Sequence, residues 1–213
     1  MSSRDEILQR VRQGVNKGDF AARRRAAEAS LAAPVRGPIP NVSGDLAQRF
    51  ADKAVSLAST VARVADQAQV PGAIAAFLDE HGLGREAVVS PEIVGWDWAG
   101  AGLTVAGRGA QDADRVGITG CFCAIAETGT LMVLSGPATP ATVSLLPETH
   151  IAVVPAQRIV PTMEDAFGLL RAEVGAMPRA VNLISGPSRT GDIEQTLVLG
   201  AHGPCRVHLI VVG

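Results

Sequence analysis

The chain has 213 residues with 47% apolar, 19% charged and 3% aromatic side chains, which excludes a disordered or low-complexity protein and suits one ordinary domain with a terminal appendage. Nineteen basic against twenty-one acidic residues give a net charge of −2, so no overall basic field invites nucleic acid. The charge is uneven: residues 1–36 hold eight Lys/Arg against four Asp/Glu, and residues 37–213 hold eleven against seventeen.

Residues 4–32 read as helix, with Ile7, Leu8, Val11 and Val15 at helical spacing and an Ala/Arg-rich stretch after them. The run Arg23-Arg24-Arg25 is either an interaction arm or, more simply, a solvated helix face. Pro34 to Pro40 is a proline-punctuated linker, and a second helix is expected from near Ser43, with Leu46, Phe50, Ala54 and Leu57 on one face. Then short apolar runs alternate with helices. Thr60–Val64 is a strand, Pro71 opens a helix that stops at Gly82, and 87–89 and 103–105 are further strands. Residues 122–126 and 131–134 flank a stretch with the length of a hairpin turn. Strand 151–154 precedes a helix opened by a capping box at Thr162–Asp165. Strands 180–184, 196–199 and 207–212 end the chain. Alternating strands and helices predict an α/β fold, a mixed sheet flanked by helices.

The start is polar and lacks the apolar region of an export signal, and the charge-free stretch 128–147 carries three prolines and two glycines that break a membrane helix. No membrane span is expected, and a cytoplasmic location is. Three cysteines argue against a disulfide framework.

Several chemistries fail on residues. The only lysines are Lys17 and Lys53, and neither follows a GxxxxG. Gly100-Ala101-Gly102 has Val105 where a dinucleotide fingerprint needs glycine. HExxH, GxSxG and CxxC are missing. His202, Cys205 and His208 lack an evident fourth ligand, so no metal is expected. Cys121 and Cys123 would point the same way from a strand, as small buried thiols.

Two segments carry chemistry. In Ala126-Glu127-Thr128-Gly129-Thr130 a carboxylate sits at a turn between apolar strands. Glu127 there is a candidate general base or nucleophile, or a structural carboxylate bonded to the turn's own amides. Gly129 would let substrate approach the backbone, beside N–H groups able to hold an oxyanion. The second segment runs from Ser185 through Gly186, Ser188, Arg189 and Thr190 to Asp192 and Glu194, after a predicted strand. Its hydroxyls, guanidinium and glycine amides form an anion cradle in which Asp192 and Glu194 would support Arg189; the plainer alternative is a polar capping loop. His202, in Gly200–Pro204, is a weaker candidate for proton transfer.

AETGT (126–130), SGPSRTGDIE (185–194) and LGAHGP (199–204), in this order, resemble the LUD domain, and the whole chain is similar to the lactate-utilisation protein C family. The resemblance is specific over 116–213 and weak over 1–60. Gly191 and Ala201 depart from the alanine and valine usual there. With the proline-punctuated linker, the chain divides into a helical arm and linker over 1–42 and a LUD domain over 43–213, for which the resemblance implies a fold like that of CoA transferases, ribose-5-phosphate isomerase and glucosamine-6-phosphate deaminase. It also implies work in a system oxidising L-lactate to pyruvate with cysteine-rich, iron–sulfur partner proteins. The clusters belong to those partners and no cofactor is expected in this chain. The site so implied joins Glu127 and His202 as proton carriers with Thr128, Gly129, Thr130, Ser185, Gly186, Ser188, Arg189 and Thr190 around a small carboxylate or phosphorylated ligand. The fold kinship also allows a free-standing CoA-transferase-like or isomerase-like enzyme, or a scaffold without catalysis.

Overall fold

Residues 2–14, 19–33, 35, 37–191 and 198–213 are described in the computed structural model, and the chain divides into two units, Met1–Ile39 and Pro40–Gly213. The first unit holds α1 (Ser3–Gly14) and α2 (Phe20–Ala32). Ser2 and Asp5 cap α1 reciprocally, and the Asp19 carboxylate accepts from the Ala22 amide to start α2. Pairs at i,i+4, Glu6–Arg10 and Arg24–Glu28, lie on exposed faces. The Arg23–Arg25 run is solvated, and neither helix buries a residue. Val15, Pro34, Asp192 and Glu194 lie outside the described residues.

The second unit begins with α3 (Leu46–Ser56), started by Asp45, whose carboxylate accepts from the Ala47 and Gln48 amides. Then come β1 (Thr60–Val64), α4 (Val70–Glu80), β2 (Glu86–Val89), β3 (Thr104–Gly107), β4 (Val116–Thr119), β5 (Cys123–Ile125) and β6 (Thr130–Leu134). They are followed by α5 (Thr142–Leu145), β7 (Thr149–Pro155), β8 (Ile159–Val160), α6 (Met163–Glu173), β9 (Val181–Ile184), β10 (Arg189–Thr190), β11 (Val198–Leu199) and β12 (Arg206–Val212).

The α/β class is as expected, with the strands divided among separate sheets. Six strands in the order β1-β12-β7-β4-β2-β3 are all parallel. The hairpin strands do not join them: β8-β5-β6-β9 form a second, four-stranded sheet with both pair orientations. β10 and β11 make a two-stranded ribbon, so part of the expected polar loop is strand.

Burial on both faces explains the near-continuous apolar runs of the parallel strands. On one face Ile118, Ile151, Val153 and Ile210 pack with Ile74, Phe77 and Leu78 of α4. On the other, Ala152, Val154, Leu209 and Val211 meet Phe50 and Ala54 of α3 and Leu131 and Val133 of β6. The far side of the second sheet, Cys123, Ile125 and Met132, packs under Ala166 of α6. Cys121 and Cys123 thus pack into different clusters rather than pointing the same way. The capping box at Thr162 and Asp165 is present.

Strand β4 was not expected. It is four residues long and contains Gly117, where an added Cβ would collide with the Val143 carbonyl of α5 and approach Pro147 to 2.9 Å. Close packing by α5, itself unexpected, requires the glycine that obscures the strand.

Candidate functional site

The hairpin β5–β6 and the end of β9 come together at one end of the second sheet, where Leu131 pairs with Ile184. Thr130 and Ser185 are next in line on adjacent strands. The Thr130 and Ser185 hydroxyls are 2.7 Å apart, and the Thr128 hydroxyl donates to Thr130 Oγ1 at 2.8 Å. A chain of three hydroxyls therefore ties the turn carrying Glu127 to the loop carrying Arg189. Thr130 is buried, so it acts as the link between the segments rather than as a surface for ligand.

Helix α3 receives both segments. Gly129 has φ +65°, and an added Cβ would stand 2.6 Å from the Ala54 nitrogen and 2.8 Å from the Lys53 carbonyl carbon. The expectation that Gly129 lets substrate meet the backbone gives way here, because α3 occupies that space. Gly186, with φ +87°, has its open side against the Leu57 carbonyl just past the end of α3. Arg189 Nη2 donates to the same carbonyl at 3.2 Å. The sequence marks Ala54 and Leu57 as part of a helix face and carries no signal that this helix end meets the two motifs. Glycine in both motifs signals close backbone approach but not which element approaches.

The turn's amides are largely engaged. Glu127 N donates to the Pro161 carbonyl at 3.0 Å and Gly129 N to the Ile125 carbonyl at 2.9 Å, which removes two donors from the expected oxyanion cradle. The Glu127 carboxylate is half-buried and makes no hydrogen bond or ion pair among the described residues, so it is not the self-satisfied carboxylate of a structural turn.

The loop beyond Ser185 is pinned to the approach of β12. Ser188 N donates to the Pro204 carbonyl at 2.8 Å, and Gly200 N donates to the Ser188 carbonyl at 2.9 Å. Gly203 sits against Ser188, with an added Cβ 3.5 Å from the serine's own. His202 is exposed in this turn and has no hydrogen bond among the described residues. Arg189 is exposed, whereas Thr190 is buried and interacts within the protein. The supporting residues Asp192 and Glu194 lie outside the described residues.

This constellation sits beside Leu57, which precedes β1, and Pro204, which precedes β12. It therefore lies at the amino ends of parallel strands, not at the carboxyl ends where open α/β sheets generally bind ligands. The reason is that β9 belongs to the second sheet, so following β9 does not lead to the parallel sheet's carboxyl edge.

Two histidines are interior. His150 Nε2 shares a 2.8 Å hydrogen bond with Thr119 Oγ1, and burial lowers its pKa to about 4. His208 stacks on Phe77 with ring centroids 3.9 Å apart and bonds Thr60 Oγ1 through Nδ1. Burial first, then the nearby His81, lowers its pKa to about 4. His208 is thus committed to the sheet while Cys205 is exposed, its thiol directed at the Glu148 carbonyl at 3.4 Å.

A depression of about 750 Å³ lies at the starts of β2, β3 and β4, lined by Arg85, Arg108, Asp114, Arg115 and Glu148 among others. Its guanidiniums are paired with Asp79, Asp114 and Glu148, and none of the expected site residues lines it.

A parallel α/β sheet flanked by helices and backed by a second sheet, with the hydroxyl-linked turn and arginine loop at one end, defines the class of this protein as α/β. The LUD domain family matches residues 47–212, and the chain belongs to it. The chain is 38% identical over 128 residues to Lactate utilization protein C of Bacillus subtilis, covering 54% of this chain and 53% of that one. With the protein of the same name from Halalkalibacterium halodurans it is 42% identical over 106 residues, covering 48% and 46%. The chain spans about half the length of the curated relatives it matches. The crystal structure of a DUF162 family protein from Deinococcus radiodurans is similar, with TM-score 0.60 and 26% identity over 82% of this chain and 100% of that one. Among the described residues, no helix is long and apolar enough to cross a membrane.

Proposed function

We propose that this protein takes part in lactate utilisation, as a component of a system that oxidises L-lactate to pyruvate together with iron–sulfur partner proteins. Its own task in that reading is to hold a small carboxylate at the 185–190 loop. The observation that carries it is the state of Arg189. Arg108 and Arg158 are each locked in two-point contact with a carboxylate. Arg189 instead spends one N–H on the neutral Leu57 carbonyl and makes no ion pair among the described residues. That bond orients the guanidinium, whose planar fork is suited to a carboxylate or phosphate.

Beside it, Ser185 and Ser188 supply hydroxyls, and Glu127 and His202 are the groups able to accept or return a proton. The electrons of lactate oxidation pass to the iron–sulfur partners, and this chain binds and orients. The names of the curated relatives support the lactate reading.

Titration calorimetry with L-lactate, pyruvate and inorganic phosphate tests it, on the unmodified chain and on Arg189→Lys. Lysine keeps the charge and loses the planar fork, so binding should weaken by about 1–3 kcal/mol, the scale of a charge-assisted hydrogen bond. Preference for phosphate over both carboxylates would favour the isomerase-like alternative. Absence of binding by all three would remove the anion site.

A further inference from the structure

Helix α3 turns Phe50 and Ala54 into the core, and Arg49 and Lys53, one position before each, lie beside that buried face. A depression of about 650 Å³ runs along these two cations, lined also by Ser43, Asp45, Gln48 and Asp52.

Both carboxylates of the depression are engaged by α3 itself. Asp45 Oδ1 accepts from the Ala47 and Gln48 amides at 2.9 and 3.0 Å, and Asp52 Oδ1 accepts from the Gln48 side chain at 2.8 Å. The cations are not engaged. Arg49 stands four positions after Asp45 and three before Asp52, spacings at which helical ion pairs form. Such pairs do form in this chain, at Glu6–Arg10 and Arg24–Glu28. Arg85, Arg108, Arg115 and Arg158 each meet a carboxylate as well. Neither Arg49 nor Lys53 has an ion pair or a side-chain hydrogen bond among the described residues. Arg49 Nε is instead enclosed by protein with no acceptor in reach. The root of Lys53 is fixed by the turn at Gly129, where an added Cβ would be 2.9 Å from the lysine's own. Two positive charges are thus held at one depression with no counter-charge, the state that an incoming anion relieves.

We propose that this face of α3 is an oxyanion site that takes a phosphoryl group. Arg49 brings a planar fork and Lys53 a compact point charge, and unpaired cations at i,i+4 repel each other. A phosphoryl group carries a charge of about −1.5 to −2 at neutral pH, enough to neutralise both, and oxygens to share between them. A monocarboxylate such as lactate would leave one cation uncompensated. No residue of the 185–190 loop lines the depression, so this site is distinct from the one proposed for lactate and does not depend on it.

The group can come from the free ion or from a phosphate ester. Amide chemical shifts of the full chain, titrated at constant ionic strength with inorganic phosphate, glycerol 3-phosphate and L-lactate, separate the sources. Saturable shifts over residues 43–56 with both phosphates assign the site to the phosphoryl group itself, and shifts with one alone assign it to that source. Lactate should not move these amides. Arg49→Gln and, independently, Lys53→Gln should weaken phosphoryl binding there at least tenfold. Lys53 is exposed, so its variant should keep the melting profile. Arg189→Lys should leave the response of 43–56 as it is. The titrations of the unmodified chain need no variant and stand even if Arg49→Gln unfolds it. Lack of saturable shifts over 43–56 with both phosphates, equal affinity in Lys53→Gln, or loss of the response in Arg189→Lys overturns the proposal.

Discussion

Thr130 Oγ1 and Ser185 Oγ lie 2.7 Å apart across 55 positions of sequence, and Thr128 donates to the same oxygen. This contact makes one constellation of two segments that are separate in the chain. Thr130→Val keeps the shape and removes the shared oxygen. It should cost about 1 kcal/mol in denaturant unfolding, the net value of a buried hydrogen bond, because exposed Ser185 regains water. Hydrogen exchange should accelerate at 185–190 more than in β6. Unchanged exchange in that loop would show that the pinning by Pro204 suffices.

Gly129 is left-handed and pressed on α3, so Gly129→Ala adds both backbone strain and a clash with Lys53 and Ala54. A loss of more than 2 kcal/mol is expected, well beyond the cost of an ordinary surface substitution. A thermal melt checks it, and a variant as stable as the parent would mean that α3 can move aside freely.

Arg189 is exposed and bonded only to a carbonyl among the described residues. Arg189→Ala should therefore cost no more than about 1 kcal/mol of stability while reducing anion binding at least tenfold. A large drop in melting temperature with unaltered binding would make the residue structural.

The buried histidines set the acid limit. His150 and His208 hold pKa values of about 4, below their ordinary value because burial disfavours the charged ring. The unfolded chain binds these protons first, so stability falls as pH drops from about 6.5 towards 4. Each site contributes on the order of 3 kcal/mol by the end of that window. Melting temperatures across the range should show this slope, and His150→Gln should lessen it. A flat profile between pH 6.5 and 4 would contradict the burial of both rings.

Neither helix of the first unit buries a residue, and the second unit carries every buried side chain of the three core clusters. A chain starting at Pro40 should still unfold in one cooperative step. Calorimetry of the truncated protein decides it; a broad, non-cooperative transition would place 1–39 in the core.

Local patterns alone were enough for much of the fold. Thr60–Val64 is a strand with the expected bounds, Pro71 and Gly82 bracket α4, and Thr162 with Asp165 forms the capping box, because propensity, turn and cap signals act within a few residues. The motif at 126–130 was legible as a polar turn after an apolar run, and so was the start of the second motif at 185–188. Tertiary structure alone decided the rest. Strand pairing is set between distant segments, so the hairpin strands left the parallel sheet, carrying Arg189 to its amino end. Gly117, Gly129 and Gly186 each mark a close approach whose partner, α5, α3 or Leu57, is fixed by packing and not by neighbours in the chain. The spacing of Arg49 and Lys53 puts them on one side of α3, but only the tertiary structure encloses the Arg49 Nε without an acceptor, because burial depends on segments that no short window contains.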